Sequence, residues 1–169
     1  MELWDVCDKY GNPTGKTKKK GEVFEDGEYH VAVEAWIVNE KGEFLIQKRS
    51  SRCEHYPGIW SLTAGRIQAG ETPAQGCARE IEEEIGIVIP AKELYHLEHL
   101  NREDESHMIW DVFAVRREIA SEEFHLDDKE VEEVKWITGD EFQSMIEEET
   151  IFIYPEIGEF LERVRKLYE

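Results

Sequence analysis

Few cysteines, no long apolar run and a shortage of positive charge set the first bounds on this chain. The three cysteines, Cys7, Cys53 and Cys77, are odd in number and lack metal-type spacing. That argues against a disulfide framework and fits a reducing compartment, with Cys77 as core packing. No stretch approaches the roughly 18 apolar residues that a membrane-spanning helix needs. The first residues, Met-Glu-Leu-Trp-Asp, lack the basic-then-apolar order of a signal segment, so a cytoplasmic protein with no membrane partner is expected. Repeats, low-complexity tracts and linkers are missing too, which leaves one domain over residues 1–169. Basic side chains number 20 against 39 acidic ones, for a net charge of −19. A surface of that sign repels polyanions and excludes non-specific binding to nucleic-acid polymers. A small anionic substrate would be repelled as well, unless bound cations invert the local field.

What is present is enough apolar material for a sizeable core, 40% of residues with 11% aromatic, and one densely patterned stretch from Gly65 to Ile87. Thr72 stands as a helix N-cap, Pro73 occupies the first helical position where its missing N–H costs nothing, and Gln75 completes a capping box. Gly86 is a natural stop. Between them Ala74, Cys77, Ala78, Ile81 and Ile85 form one apolar stripe at about 100° per residue. Glu80, Glu83 and Glu84 share another arc of roughly 100°, and Glu82 points away from it. Like charges at these spacings destabilise a bare helix by a few tenths of a kcal/mol per pair, so the cluster requires either water or a cation. Gly65 and Gly70 bracket the preceding loop, where backbone can approach a ligand closely. Oxygen ligands from such a loop and helix suit a hard divalent cation.

Along the rest of the chain, Leu3 to Cys7 reads as a strand before a turn at Gly11-Asn12-Pro13, and Lys16 to Lys20 as a basic loop, either solvated or in contact with an anion. His30 to Val38 and Phe44 to Lys48 read as a hairpin with a central strand, interrupted by Glu34. Lys48 and Arg49 end it, either as surface cations or as phosphate contacts. Ile59 to Thr63 reads as one short strand with Trp60 in the core; Leu94 to His99, Met108 to Val115 and Val131 to Ile137 read as further strands. His96, His99 and His107 look too loosely arranged for a zinc site. Thr138 caps a helix over Gly139 to Ile146, and Pro155 starts a last helix with Ile157, Phe160, Leu161, Val164 and Leu167 at helical spacing. The sum is an α+β protein with a sheet layered between helices.

Gly65, five residues, Glu71, seven residues, Arg79-Glu80-Ile81, one residue, Glu83-Glu84, one residue, Gly86-Ile87 resembles the complete box of the Nudix hydrolases. The resemblance extends over about residues 30 to 140, through Phe44 to Arg49, Pro57 to Trp60 and Glu130 to Trp136. Ala64 departs from it, standing where many members carry a first glycine. The resemblance implies an α/β/α sandwich with a mixed β-sheet between helices. It also implies a pyrophosphohydrolase that uses Mg²⁺ or Mn²⁺ to cleave a diphosphate linkage, in a nucleoside diphosphate joined to a further moiety, by water attack at phosphorus. Carried across by position, Glu80, Glu83, Glu84 and the Gly65 carbonyl would hold metal. Glu83, Arg79 and Glu130 would serve catalysis, Arg79 by orienting a glutamate and Glu130 as an extra ligand or general base. Glu71 would support the loop, and Lys48 and Arg49 would meet the substrate. The opening around Trp4-Asp5-Val6-Cys7-Asp8 and Gly11 to Gly15 resembles the branch of the family related to isopentenyl diphosphate isomerase. That isomerase needs a cysteine just before the box, where this chain has Ser61-Leu62-Thr63-Ala64, so hydrolysis is the expectation and isomerisation the alternative. A catalytically silent nucleotide sensor is the non-enzyme alternative, and the intact box stands against it. Monomer and homodimer both stay open.

Overall fold

A computed structural model describes residues 2–169. The chain opens with β1 (Leu3–Cys7) and β2 (Pro13–Lys19), which form a separate two-stranded sheet. The basic run expected as a loop therefore lies mostly on a strand. Leu3 pairs with Lys19, and the Lys18 ammonium lies 2.5 Å from Glu28 and 5.1 Å from the Phe24 ring centre, which holds it down.

The main sheet is built around β3 (His30–Val38), every residue of which is buried. This strand pairs in parallel with β8 (Met108–Arg116) along its whole length, and β7 (Tyr95–Asn101) closes that edge. Burial on both faces explains the near-continuous apolar reading of β3. On its other side β3 meets β4 (Phe44–Arg49) at a single register pair, Val38 with Phe44, after which the two strands diverge. The divergence opens a split in the sheet. β4 continues with β9 (Val131–Ile137), while β3 takes a different partner along its first half.

The segment expected as one strand from Ile59 to Thr63 is in fact two. β5 (Trp60–Ser61) pairs with β4 and β6 (Thr63–Arg66) pairs with β3, so the chain crosses the split at Leu62. A single strand cannot follow two diverging neighbours, which is why it breaks there.

α1 (Pro73–Ile85) packs on one face, its Cys77, Ile81 and Ile85 meeting Val31, Val33, Ala35 and Phe113 in one core. α2 (Gly139–Glu148) and α3 (Ile157–Leu167) cover the other face, where Phe142, Phe160, Leu161 and Val164 pack against Trp36, Val38 and Phe44. The mixed sheet thus lies between helices, as expected. Thr72 and Thr138 form the capping boxes that start α1 and α2. α3 begins two residues later than expected, because Pro155 sits in the turn before its cap, Glu156. Among the described residues no helix is long and apolar enough to cross a membrane.

Candidate functional site

The mouth of the split is where the box carboxylates gather. Gly65, on β6, faces α1 so closely that a Cβ there would overlap the Glu80 carboxyl. A bare backbone at this point lets a helix carboxylate lie against the strand. One turn further along, Glu84 is 6% exposed and Glu80 is largely buried. Burial pushes the Glu84 carboxyl well above the usual carboxylate range, and the charge of Glu80 raises it further. Burial raises Glu80 as well, against the pull of its bonds to neighbours.

Glu84 is held from the opposite limb of the split. The Gln47 amide on β4 donates to its Oε1 at 2.8 Å, and the Thr63 hydroxyl donates to the Gln47 Oε1 at 2.7 Å. The other carboxylate oxygen, Oε2, is buried and receives no hydrogen bond from any donor, and the neighbour of this carboxyl is the like-charged Glu80. An unpaired buried carboxylate oxygen is costly, so its place is filled most economically by a cation. The donor set is all oxygen, with Glu80, Glu84 and the backbone near Gly65 together, and it fits a hard divalent ion of the Mg²⁺ kind.

Arg79 organises the remaining acids. Its Nε and Nη2 donate to the two oxygens of Glu71 at 2.7 and 3.0 Å, and Nη1 donates to Glu80 at 3.1 Å and Glu83 at 3.0 Å. Nη2 also reaches the Arg66 carbonyl at 3.1 Å. Arg79 thereby ties loop, strand and two box glutamates together, while Glu71 in turn accepts from the Gln68 N–H at 2.6 Å. The Glu83 side chain is 54% exposed at its bond to Arg79, while Glu82 is exposed on the far arc.

The loop before β9 is fastened to the end of the box helix. His125 N–H donates to the Ile85 carbonyl and Asp127 N–H to the Glu84 carbonyl, at 2.9 and 3.0 Å. Glu130 is exposed on that loop, and its charge adds to the rise of Glu84. Gly86, left-handed at φ 76°, makes room for this fastening, since a Cβ there would press on the His125 backbone. Lys48 and Arg49 lie at the end of β4, where Lys48 pairs with Glu132 at 3.2 Å and Arg49 donates to the His55 carbonyl at 3.0 Å. The structure therefore bonds Glu71, Glu80 and Glu83 to Arg79, sets Gly65 against Glu80, and places Glu84 beside them on Gln47, with Glu130 acting on Glu84 through its charge. Lys48 and Arg49 lie outside this group, on partners of their own.

Two further residues of the site, Gln47 and Thr63, are legible in the sequence only as polar residues inside apolar strands. What they face depends on how α1 packs, and no local pattern reveals it.

Carboxylates on a loop and helix, set at the mouth of a split mixed sheet between helices, define an enzyme of the Nudix type. The NUDIX domain family matches residues 28–157. An uncharacterised Nudix hydrolase of Listeria monocytogenes is 34% identical over 151 residues, 86% of this chain and 85% of that protein. The isopentenyl-diphosphate Delta-isomerase of Corynebacterium diphtheriae is 36% identical over 88 residues, 52% of this chain and 48% of that protein. The crystal structure of a MutT protein from Methanosarcina mazei is similar with a TM-score of 0.64 at 29% identity, covering 83% of this chain and 96% of that one. The chain belongs to the Nudix family, whose hydrolases cleave pyrophosphate linkages in nucleoside diphosphate derivatives.

Proposed function

We propose that this chain hydrolyses a diphosphate linkage in a nucleoside diphosphate joined to a further moiety, by water attack at phosphorus, with Mg²⁺ or Mn²⁺ held by Glu80, Glu83, Glu84 and the Gly65 carbonyl. The observation that carries the reading is the buried, unpartnered Oε2 of Glu84 beside Glu80. When bound, the cation supplies charge neutralisation of the diphosphate and a lowered pKa for coordinated water. Arg79, braced by Glu71, fixes Glu80 and Glu83 in place. Gln47 fixes Glu84, a supporting role of the kind whose loss typically costs about 10–100-fold in metal affinity or activity. Glu130 takes the proton of the attacking water, and Lys48 and Arg49 meet the phosphates.

The isomerase likeness is the competing reading. Ser61-Leu62-Thr63-Ala64 stands where the isomerase would carry its cysteine, and this stretch holds no thiol to move a proton. Incubating the protein with a panel of nucleoside diphosphate sugars and dinucleotides, and following phosphate or monophosphate release, tests the proposal. Product is expected only with a divalent cation and is lost in Glu84→Gln. Interconversion of isopentenyl and dimethylallyl diphosphates would establish the isomerase instead. Tight nucleotide binding without product across the panel would establish a sensor.

A further inference from the structure

His96 and His99 stand three residues apart on edge strand β7, so regular alternation would send them to opposite faces. An irregularity between His96 and Glu98 resets the register: His96 pairs with Phe113, Glu98 with Val112 and His99 with Asp111. The bulge places both imidazoles on one face, with His99 directly across from Asp111 and His96 diagonal to it. His96 Nε2 lies 2.7 Å and His99 Nδ1 2.8 Å from the same oxygen, Asp111 Oδ1. Asp111 is 3% exposed, flanked at two-residue spacing by the core residues Ile109 and Phe113. The two imidazoles are half exposed. The three ligand atoms lie within 4.8 Å of one another.

From this geometry we infer that His96, His99 and Asp111 bind one divalent cation of the zinc type, separate from the box carboxylates, and that the cation clamps β7 to β8. Two imidazole nitrogens and one carboxylate suit Zn²⁺, Co²⁺ or Ni²⁺, whereas Mg²⁺ prefers oxygen ligands and retains its waters. Ligands about 2.0–2.2 Å from a tetrahedral Zn²⁺ stand roughly 3.3 Å apart, so each nitrogen draws back from Oδ1 by about half an ångström and the two rings turn toward each other to close a nitrogen separation of up to 4.8 Å. Rings exposed on one side can make that movement, and water fills the fourth position. The turn of the β1–β2 hairpin shields the other side of His99. A Cβ on Gly11 would stand 3.0 Å from His99 Cε1, and Asn101 tethers the turn through the Lys9 carbonyl at 2.8 Å. The two sites would sort cations by ligand chemistry, Mg²⁺ to the box and zinc-type ions to the sheet edge.

Chelator-stripped protein in excess Mg²⁺ is titrated with Zn²⁺ by calorimetry and with Co²⁺ by visible absorption. The wild type is expected to take up one equivalent. His96→Gln and His99→Gln are each expected to weaken binding at least tenfold, and the two together by more than the roughly 10–100-fold that loss of a merely supporting partner brings. Glu84→Gln is expected to bind Zn²⁺ as the wild type does. Zn²⁺ should also raise the melting temperature of the wild type and leave that of the double histidine variant unmoved. Both histidines are half exposed, so these variants keep the core intact. Absence of Zn²⁺ uptake by the wild type, equal uptake by the double variant, or loss of uptake in Glu84→Gln alone overturns the site.

Discussion

Glu34 shows how one side chain sets a pH dependence. It lies on β3, 8% exposed, and its Oε1 accepts from the Trp36 indole at 3.0 Å and the Tyr154 hydroxyl at 2.5 Å. Burial lifts its carboxyl from the usual 4.5 to about 7, overriding those two bonds. A carboxyl with a raised pKa in the fold binds its proton more tightly there than in the unfolded chain. Its contribution is therefore fully present below about pH 4.5 and is lost as pH rises through about 7. The loss amounts to at most about 3 kcal/mol, since a tenfold difference in proton affinity is worth about 1.4 kcal/mol. Glu34→Gln keeps the Oε1 acceptor and carries no charge. Thermal unfolding should find the variant more stable than the wild type at pH 8 and the two alike at pH 4; equal melting temperatures at both would remove the argument. The sequence displays Glu34 only as a break in an apolar run. Its partner Tyr154 is 120 residues away, and no local pattern connects them.

At the scale of elements, α1 is the part most fully written in the sequence. Its cap, its first-turn proline, its glycine stop and its apolar stripe are local features, and they fix which carboxylates face the site. The register predicts unequal effects from adjacent, chemically identical changes. Glu84→Gln, at the buried end of the acidic arc, and Glu83→Gln, which removes the charge that faces Arg79, should lower turnover by orders of magnitude. Glu82→Gln, on the exposed far arc, should stay near wild type. Turnover measured across the three variants checks this, and a Glu82→Gln enzyme as impaired as its neighbours would mean the helix presents a different face. The bulge in β7 and the break at Leu62 are not legible in the same way. Each arises from what a strand pairs with, and the pairing partners lie far along the chain. The same holds for the histidine pair: spacing three apart on a strand reads as divergence until the bulge is known.

For the whole molecule, the single register pair joining β3 to β4 has a dynamic consequence. Strands that share hydrogen bonds open together, so the sheet has two cooperative units meeting along a hinge line. One unit is β3 with β6, β7 and β8, and the other is β4 with β5 and β9. The box helix rides on the first, through its packing on β3, while Gln47 and Glu130 belong to the second. The two units share the core under α2 and α3, and a cation seated on Glu84 would add a second tie between them at the open end of the split. Amide hydrogen exchange followed by mass spectrometry, with and without Mg²⁺, reads that coupling directly. Slowing should extend beyond the box into Phe44–Arg49 and Val131–Ile137, strands that donate none of the proposed box ligands. Slowing confined to residues 65–87 would mean that the two limbs remain uncoupled when the ion binds. If the coupling is present, substrate arrival at the mouth is also a mechanical event, in which closing the split and completing the site are the same movement.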